Sequence, residues 1–200
     1  MNVEQIKADY DRDGVVRVRN FWSTEKVQQL RDELDRYVRD VVPTLEPVDR
    51  VWEADGKSLR NLWRMHLHDK FFDELRHDPQ TLDLMDVLLN GKAKSTGVET
   101  FNKPARTGSA VPPHQDNAYF SQTPPDMLTL WIALDPATVE NGAVYYILGS
   151  HHELLPHTPS GVVGNSFGLA EPPELDGVEE FCGTLEPGDA LIHNCQVIHR

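Results

Sequence analysis

Two hundred residues, 39% apolar and 26% charged, can bury a core without staples and are too apolar to stay disordered. The net charge of −13, from 32 acidic against 19 basic residues, opposes a phosphate backbone, so neither nucleic acid nor an anionic membrane is an expected partner. Cys182 and Cys195 form no Cys-x-x-Cys pair, and neither an apolar leader nor a run of about 18 apolar residues occurs, which makes a reduced, cytoplasmic setting the default expectation.

Along the chain, residues 3–10 carry Val3, Ile6 and Tyr10 on one side of a short helix that the Asp-Arg-Asp-Gly turn at 11–14 ends. Val15-Val16-Arg17-Val18 reads as a strand. Ser23 or Thr24 then caps an amphipathic helix in which Val27, Leu30, Leu34, Tyr37, Val38 and Val41 keep helical spacing until Pro43. Asp55-Gly56 marks a hairpin turn between short strands. A second helical region covers 70–90, interrupted near Asp78-Pro79 and closed by Gly91 as a C-cap.

From residue 93 onward the pattern changes to short β-like runs at 95–102, 115–120, 127–134, 143–148, 181–185, 189–193 and 195–199, divided by Pro, Gly and Asn turns. Segment 156–180, rich in Pro and Gly, is expected to be an irregular lid or binding loop. Helices followed by strands imply a single α+β domain over 1–200, with helical support at 1–92 bracing a β-sandwich or barrel at 93–200.

The chemistry centres on His114-Gln115-Asp116. On an extended strand a His and an Asp two apart share a face, and a second His from a distant strand would complete a two-histidine, one-carboxylate metal site, an arrangement that leaves positions open for reactants. His66, His68 and His77 belong to the helical half and read as packing or surface residues. His151, His152 and His157 follow the Gly149-Ser150 turn and suit a loop or a supporting role. His193 and His199 both lie in the last β-like stretch, and spacing alone does not choose between them.

Nearly the whole chain resembles the phytanoyl-CoA dioxygenase family of Fe(II)- and 2-oxoglutarate-dependent oxygenases. The likeness runs through YDRDGVVRVRNFWSTEKVQQLRDEL near the N-terminus, HLHDKFFDEL, NKP at 102–104, HQDNAYF at 114–120, LTLWIALD at 128–135, ENGAVYYILGSHH at 140–152 and EPGDALIHNCQVIHR at 186–200, in the family's order. The resemblance implies a double-stranded β-helix, a jelly-roll or cupin-like barrel with helices outside. It makes His199 the distal ligand beside His114 and Asp116, with Fe(II) as metal and 2-oxoglutarate as cosubstrate. It puts Trp131 at a recurrent family position and Asn102 near the cosubstrate; Thr129 shares the face of Trp131 on a regular strand, Phe120 shares the parity of His114 and Asp116 and would wall the substrate side, and Arg64 and His66, just before the helix at 70, could reach the pocket mouth. The implied reaction consumes dioxygen, hydroxylates a C–H bond of a small molecule and releases succinate and carbon dioxide. In related halogenases a Gly or Ala stands where Asp116 stands here, so hydroxylation is the expected outcome.

The family places an Arg roughly ten residues beyond the distal His, paired with the far carboxylate of 2-oxoglutarate. Arg200 follows His199 directly and faces the other way on a strand, so either that Arg and the last barrel strand lie past residue 200, the favoured expectation, or this form binds the cosubstrate poorly or not at all. Two other readings remain: a cupin-like barrel that works without 2-oxoglutarate, and a non-catalytic module that binds a metabolite. Substrate identity and oligomeric state are not legible in the sequence.

Overall fold

The computed structural model describes residues 2–174 and 176–200. Helix α1 (Val3–Asp13) starts at Asn2, whose side chain accepts the Gln5 N–H, and ends at Gly14, which turns left-handed at φ 76°. The Asp-Arg-Asp segment is therefore the last turn of the helix. Strand β1 (Val15–Val18) follows, then α2 (Thr24–Asp40), β2 (Arg50–Trp52) and β3 (Leu59–Leu62). The β2–β3 hairpin turns through Asp55 and Gly56 as expected, with the Asp55 carboxylate accepting the N–H groups of Lys57 and Ser58. Helices α3 (Lys70–Leu75) and α4 (Pro79–Leu88) flank a break at Asp78, which caps α4 through Thr81 N–H. Asn90, at φ 52°, takes the left-handed position after α4 that the sequence assigned to Gly91. An Asn tolerates this conformation through local hydrogen bonding.

Of the run expected at 95–102, only β4 (Thr100–Phe101) pairs, against β3. Next come α5 (Asn117–Phe120), β5 (Leu128–Ile132), β6 (Val144–Ile147), β7 (His157–Val162), β8 (Asn165–Leu169), β9 (Glu180–Gly183) and β10 (Ala190–Asn194). The segment expected to be irregular, 156–180, forms the β7–β8 hairpin over much of its length; its residue 175 lies outside the described residues. Residues 115–120 are not a strand but a turn of helix, and 195–197 are a turn, with only His199 of that run bridging neighbours.

By packing, the chain divides into two compact units, Met1–Thr24 with Ala110–Arg200, and Glu25–Ser109. The first helix and strand thus join the later strands and not the helical segment expected at 1–92. The reason is hydrogen bonding: β1 runs antiparallel to β10, which pairs on its other side with β5. β6 pairs with β9, and isolated bridges join His199 to both His114 and Tyr146. Among the described residues these sheets do not join into one closed barrel. The core of this unit is Val15, Ala133, Ala137, Ala143, Tyr146, Leu185, Leu191 and Val197. The other unit has its own cluster, formed by Tyr37, Val42, Leu45, Leu62, Met65 and Phe72.

Candidate metal centre

Two backbone devices bring His114 and His199 together. Each residue's N–H donates to the other's carbonyl at 3.0 Å, a reciprocal pair that fixes their relative position. The segment around His199 is tied on its other side by Tyr145 and Arg200, which exchange both backbone hydrogen bonds at 2.9 Å, and by Ile147 N–H donating to Ile198 O at 2.9 Å. After His114 the chain leaves extended geometry. Asp116 has helical φ −58° and ψ −31°, its carbonyl accepts the N–H of Tyr119 at 2.9 Å, and Asn117 N–H donates to Cys195 O at 2.7 Å. The two ligand candidates thus straddle a change from bridge to helix; their convergence does not come from strand alternation.

The ligand atoms of His114, Asp116 and His199 all lie within 4.8 Å of one another. Asp116 Oδ1 is 3.6 Å from His114 Nε2 and 3.5 Å from His199 Nε2. His114 Nδ1 is 2.9 Å from Pro112 O and His199 Nδ1 is 3.0 Å from Val197 O. A carbonyl only accepts, so each Nδ1 carries the proton and each Nε2 presents a lone pair to the space beside Oδ1. These donors fit a divalent first-row ion bound on one face.

The other carboxylate oxygen is already engaged. Asp116 Oδ2 accepts the Thr129 hydroxyl at 2.7 Å and lies 3.0 Å from His193 Nε2. His193 Nδ1 in turn is 3.1 Å from the Tyr146 hydroxyl. Burial opposes ionisation of Asp116, but its imidazole neighbours, His199 first and then His114 and His193, outweigh it and hold the carboxyl well below its usual range. Burial, then the neighbouring His199, pulls His114 below the ordinary imidazole value, which favours the neutral ligand form. Burial pushes the Tyr146 phenol well above its ordinary value, so it stays a donor.

Gln115, between the two ligands, is fully buried. Its amide nitrogen donates to the carbonyls of Glu153 and Gln196, its amide oxygen accepts Leu155 N–H at 2.8 Å, and its backbone N–H donates to His157 Nε2 at 3.0 Å. The Tyr119 ring stands edge-on to His114, with centroids 5.8 Å apart, and its hydroxyl binds the backbone of Phe167.

His114, Asp116 and His199 therefore converge as expected, and Thr129 joins them through the carboxylate. Trp131 packs against the core cluster around Leu191 and Tyr146. Phe120 does not share the face of His114, because 117–120 is helical; it is exposed, and Tyr119 is the aromatic ring against His114. In the Glu25–Ser109 unit, Arg64 is held in the left-handed region at φ 50° and donates to Asp49 at 2.6 Å. His66 accepts Val98 N–H at Nδ1, 3.3 Å, with its ring over Gly97. Asn102 donates its side-chain amide to Leu59 O at 2.8 Å. Arg200 pairs with Glu180 and lies over the Tyr145 ring. Sequence reasoning missed the roles of His193, Tyr146 and Gln115, while His157 takes the supporting place expected of it by accepting the Gln115 backbone N–H. The register, which the sequence does not print, supplies the missing link: His193 sits in β10 opposite Thr129, so both side chains leave the sheet on one side.

Two histidines and one carboxylate whose ligand atoms lie within 4.8 Å of one another could hold a metal ion on one face, an arrangement found in non-haem oxygenases. The model of the family described as phytanoyl-CoA dioxygenase matches residues 10–200, and the chain belongs to that family. It is 25% identical over 236 aligned residues to the phytanoyl-CoA dioxygenase domain-containing protein 1 homolog of Dictyostelium discoideum, covering 98% of this chain and 84% of that one. Among solved structures it is similar to EctD from S. alaskensis with 2-oxoglutarate and 5-hydroxyectoine, at TM-score 0.80 and 20% identity over 100% of this chain and 69% of that one. It is also similar to the epimerase SnoN in complex with Fe3+, alpha ketoglutarate and nogalamycin RO, at TM-score 0.74 and 24% identity over 98% and 75%. The chain spans about half the length of several of the curated relatives it matches. Among the described residues no helix is long and apolar enough to cross a membrane.

Proposed function

We propose that this chain carries the metal site of an Fe(II)- and 2-oxoglutarate-dependent dioxygenase that hydroxylates a C–H bond of a small molecule. The observation that carries this reading is the convergence of His114 Nε2, His199 Nε2 and Asp116 Oδ1, with both Nδ1 atoms tied to carbonyls. Those three side chains would hold Fe(II). Bound there with 2-oxoglutarate and dioxygen, the metal supplies oxidative decarboxylation: one oxygen atom goes into the succinate and the other into the substrate, with carbon dioxide released. The protein's part is geometric. Carbonyl contacts hold each imidazole in the Nδ1–H form, the bridge between His114 and His199 sets their spacing, and the ionised Asp116 offers Oδ1. Trp131 would wall the cosubstrate side.

The test is succinate release with Fe(II), 2-oxoglutarate and a panel of small substrates, beside the weak visible charge-transfer band that anaerobic Fe(II) and 2-oxoglutarate should give. Asp116→Gly should abolish hydroxylation, and full turnover in that variant would overturn the ligand assignment. A metal-loaded protein with neither band nor succinate favours a barrel that works without 2-oxoglutarate, or a binding module. The likeness to an epimerase supports a second outcome, inversion at a carbon without net hydroxyl insertion. Product mass separates the two: hydroxylation adds one oxygen atom, and epimerisation adds none.

A further inference from the structure

We propose that His193 and Thr129 are positioning residues that keep Asp116 a one-oxygen ligand, and that Tyr146 orients His193 for this task. The proposal rests on the metal reading above. Thr129 and His193 are direct partners in the β5–β10 register, and both reach the same carboxylate oxygen. An ionised carboxylate only accepts, so Thr129 must donate its hydroxyl proton. Two donors on Oδ2 occupy it and fix the carboxylate plane, while Oδ1 alone faces the two free imidazole nitrogens. A metal held there would take one oxygen from Asp116, with Oδ2 left to its two donors.

Tyr146 supplies the next link. It is 1% exposed and embedded in the apolar cluster, with its hydroxyl 3.1 Å from His193 Nδ1. A phenol that donates to Nδ1 leaves the proton of a neutral imidazole on Nε2, where it can donate to Asp116. Without that hydroxyl the imidazole is free to carry its proton on Nδ1 and to turn a lone pair toward the carboxylate. The same Tyr146 ring lies nearly parallel to the His199 ring, at 25° and 5.6 Å between centroids, so one side chain braces a ligand directly and the carboxylate at one remove.

The experiment compares the unmodified chain with Thr129→Val, Thr129→Ser and Tyr146→Phe, all close in volume to the originals. Mn(II) affinity is read by EPR, and the Co(II) absorption spectrum reports coordination number. Partners behind a ligand are worth about ten- to hundredfold in metal affinity. Thr129→Val and Tyr146→Phe should each weaken Mn(II) binding by that order and change the Co(II) band intensities, and Thr129→Ser should restore both. Unchanged affinity and spectra in Thr129→Val and Tyr146→Phe overturn the proposal while the metal site stands. A wild-type response from Tyr146→Phe alone removes the Tyr146 link. An unmodified chain that binds no Mn(II) overturns the metal reading and the proposal together.

Discussion

At the scale of single residues the site is a set of satisfied polar contacts around a few buried groups, and most of these contacts are invisible in the chain's order. His114 and Asp116 could be picked out because H-x-D is short and local. His193 could not be ranked from its neighbours, because its meaning lies in a register with Thr129 and in a tyrosine from another strand. Gln115 is a similar case, since its four contacts come from residues 153–157 and 196. Replacing it by Leu keeps the volume and strands buried partners, so Gln115→Leu should cost at least about 1–3 kcal/mol in denaturant unfolding. Asp189 offers a test by pH. Burial opposes its ionisation, but the N–H groups of Asn20 at 2.8 Å and Glu186 at 2.9 Å, with the Arg19 guanidinium, hold the folded carboxyl below its ordinary range. Ionised Asp189 therefore favours the folded chain above the unfolded value of about 3.9, and this contribution disappears as pH falls through the lower folded value. Unfolding free energy measured from neutral pH into acid should fall less steeply in Asp189→Asn than in the unmodified chain.

At the scale of elements the regular pieces were legible and the irregular ones were not. Amphipathic spacing marked α2, Asp78-Pro79 marked the break before α4, and the runs of β5, β6 and β10 appeared within a few residues of their places. The stretch 115–120 has strand-like composition, yet it turns helical because Asp116 and Asn117 spend their backbone groups on Tyr119 and Cys195, a choice made by distant chain. Proline and glycine made 156–180 look irregular, although Gly161 with positive φ sits at the register shift in β7 and Gly164 with positive φ in the tight turn of the hairpin. Gly14 gives an element-level prediction. It ends α1 at φ 76°, and an added Cβ would lie 2.4 Å from His151 Nδ1. Gly14→Ala should destabilise by more than about 1 kcal/mol, since it combines a disfavoured backbone with a clash. Adding His151→Ala should recover only part of the clash, since the His151 Cβ itself would lie 2.9 Å away, a partial rescue that a double-mutant cycle in thermal or denaturant unfolding would measure.

At the scale of the whole molecule, composition foretold a folded, strongly acidic chain, and the family likeness supplied the jelly-roll expectation. Neither showed that the first helix and strand would join the later strands, with β1 paired to β10. That pairing depends on residues at opposite ends of the sequence, which no local window can weigh. The charge has its own consequence. With 32 acidic against 19 basic residues, self-repulsion works against the compact state and is screened by salt over about 8–10 Å at physiological strength. Melting temperature should therefore rise when sodium chloride is raised from a few millimolar toward about 0.15 M, and a flat or falling trend would show that attractive pairs outweigh the net repulsion.

The reciprocal backbone pair between His114 and His199 also makes metal competence a matter of populations. Every molecule in which that pair has opened has lost the spacing of its two imidazoles, so the affinity observed in solution is the intrinsic affinity scaled by the closed fraction. The amides of His114 and His199 should exchange with solvent water as one unit. Binding of a divalent ion should slow both together, by a factor that reports how much tighter the closed form holds it.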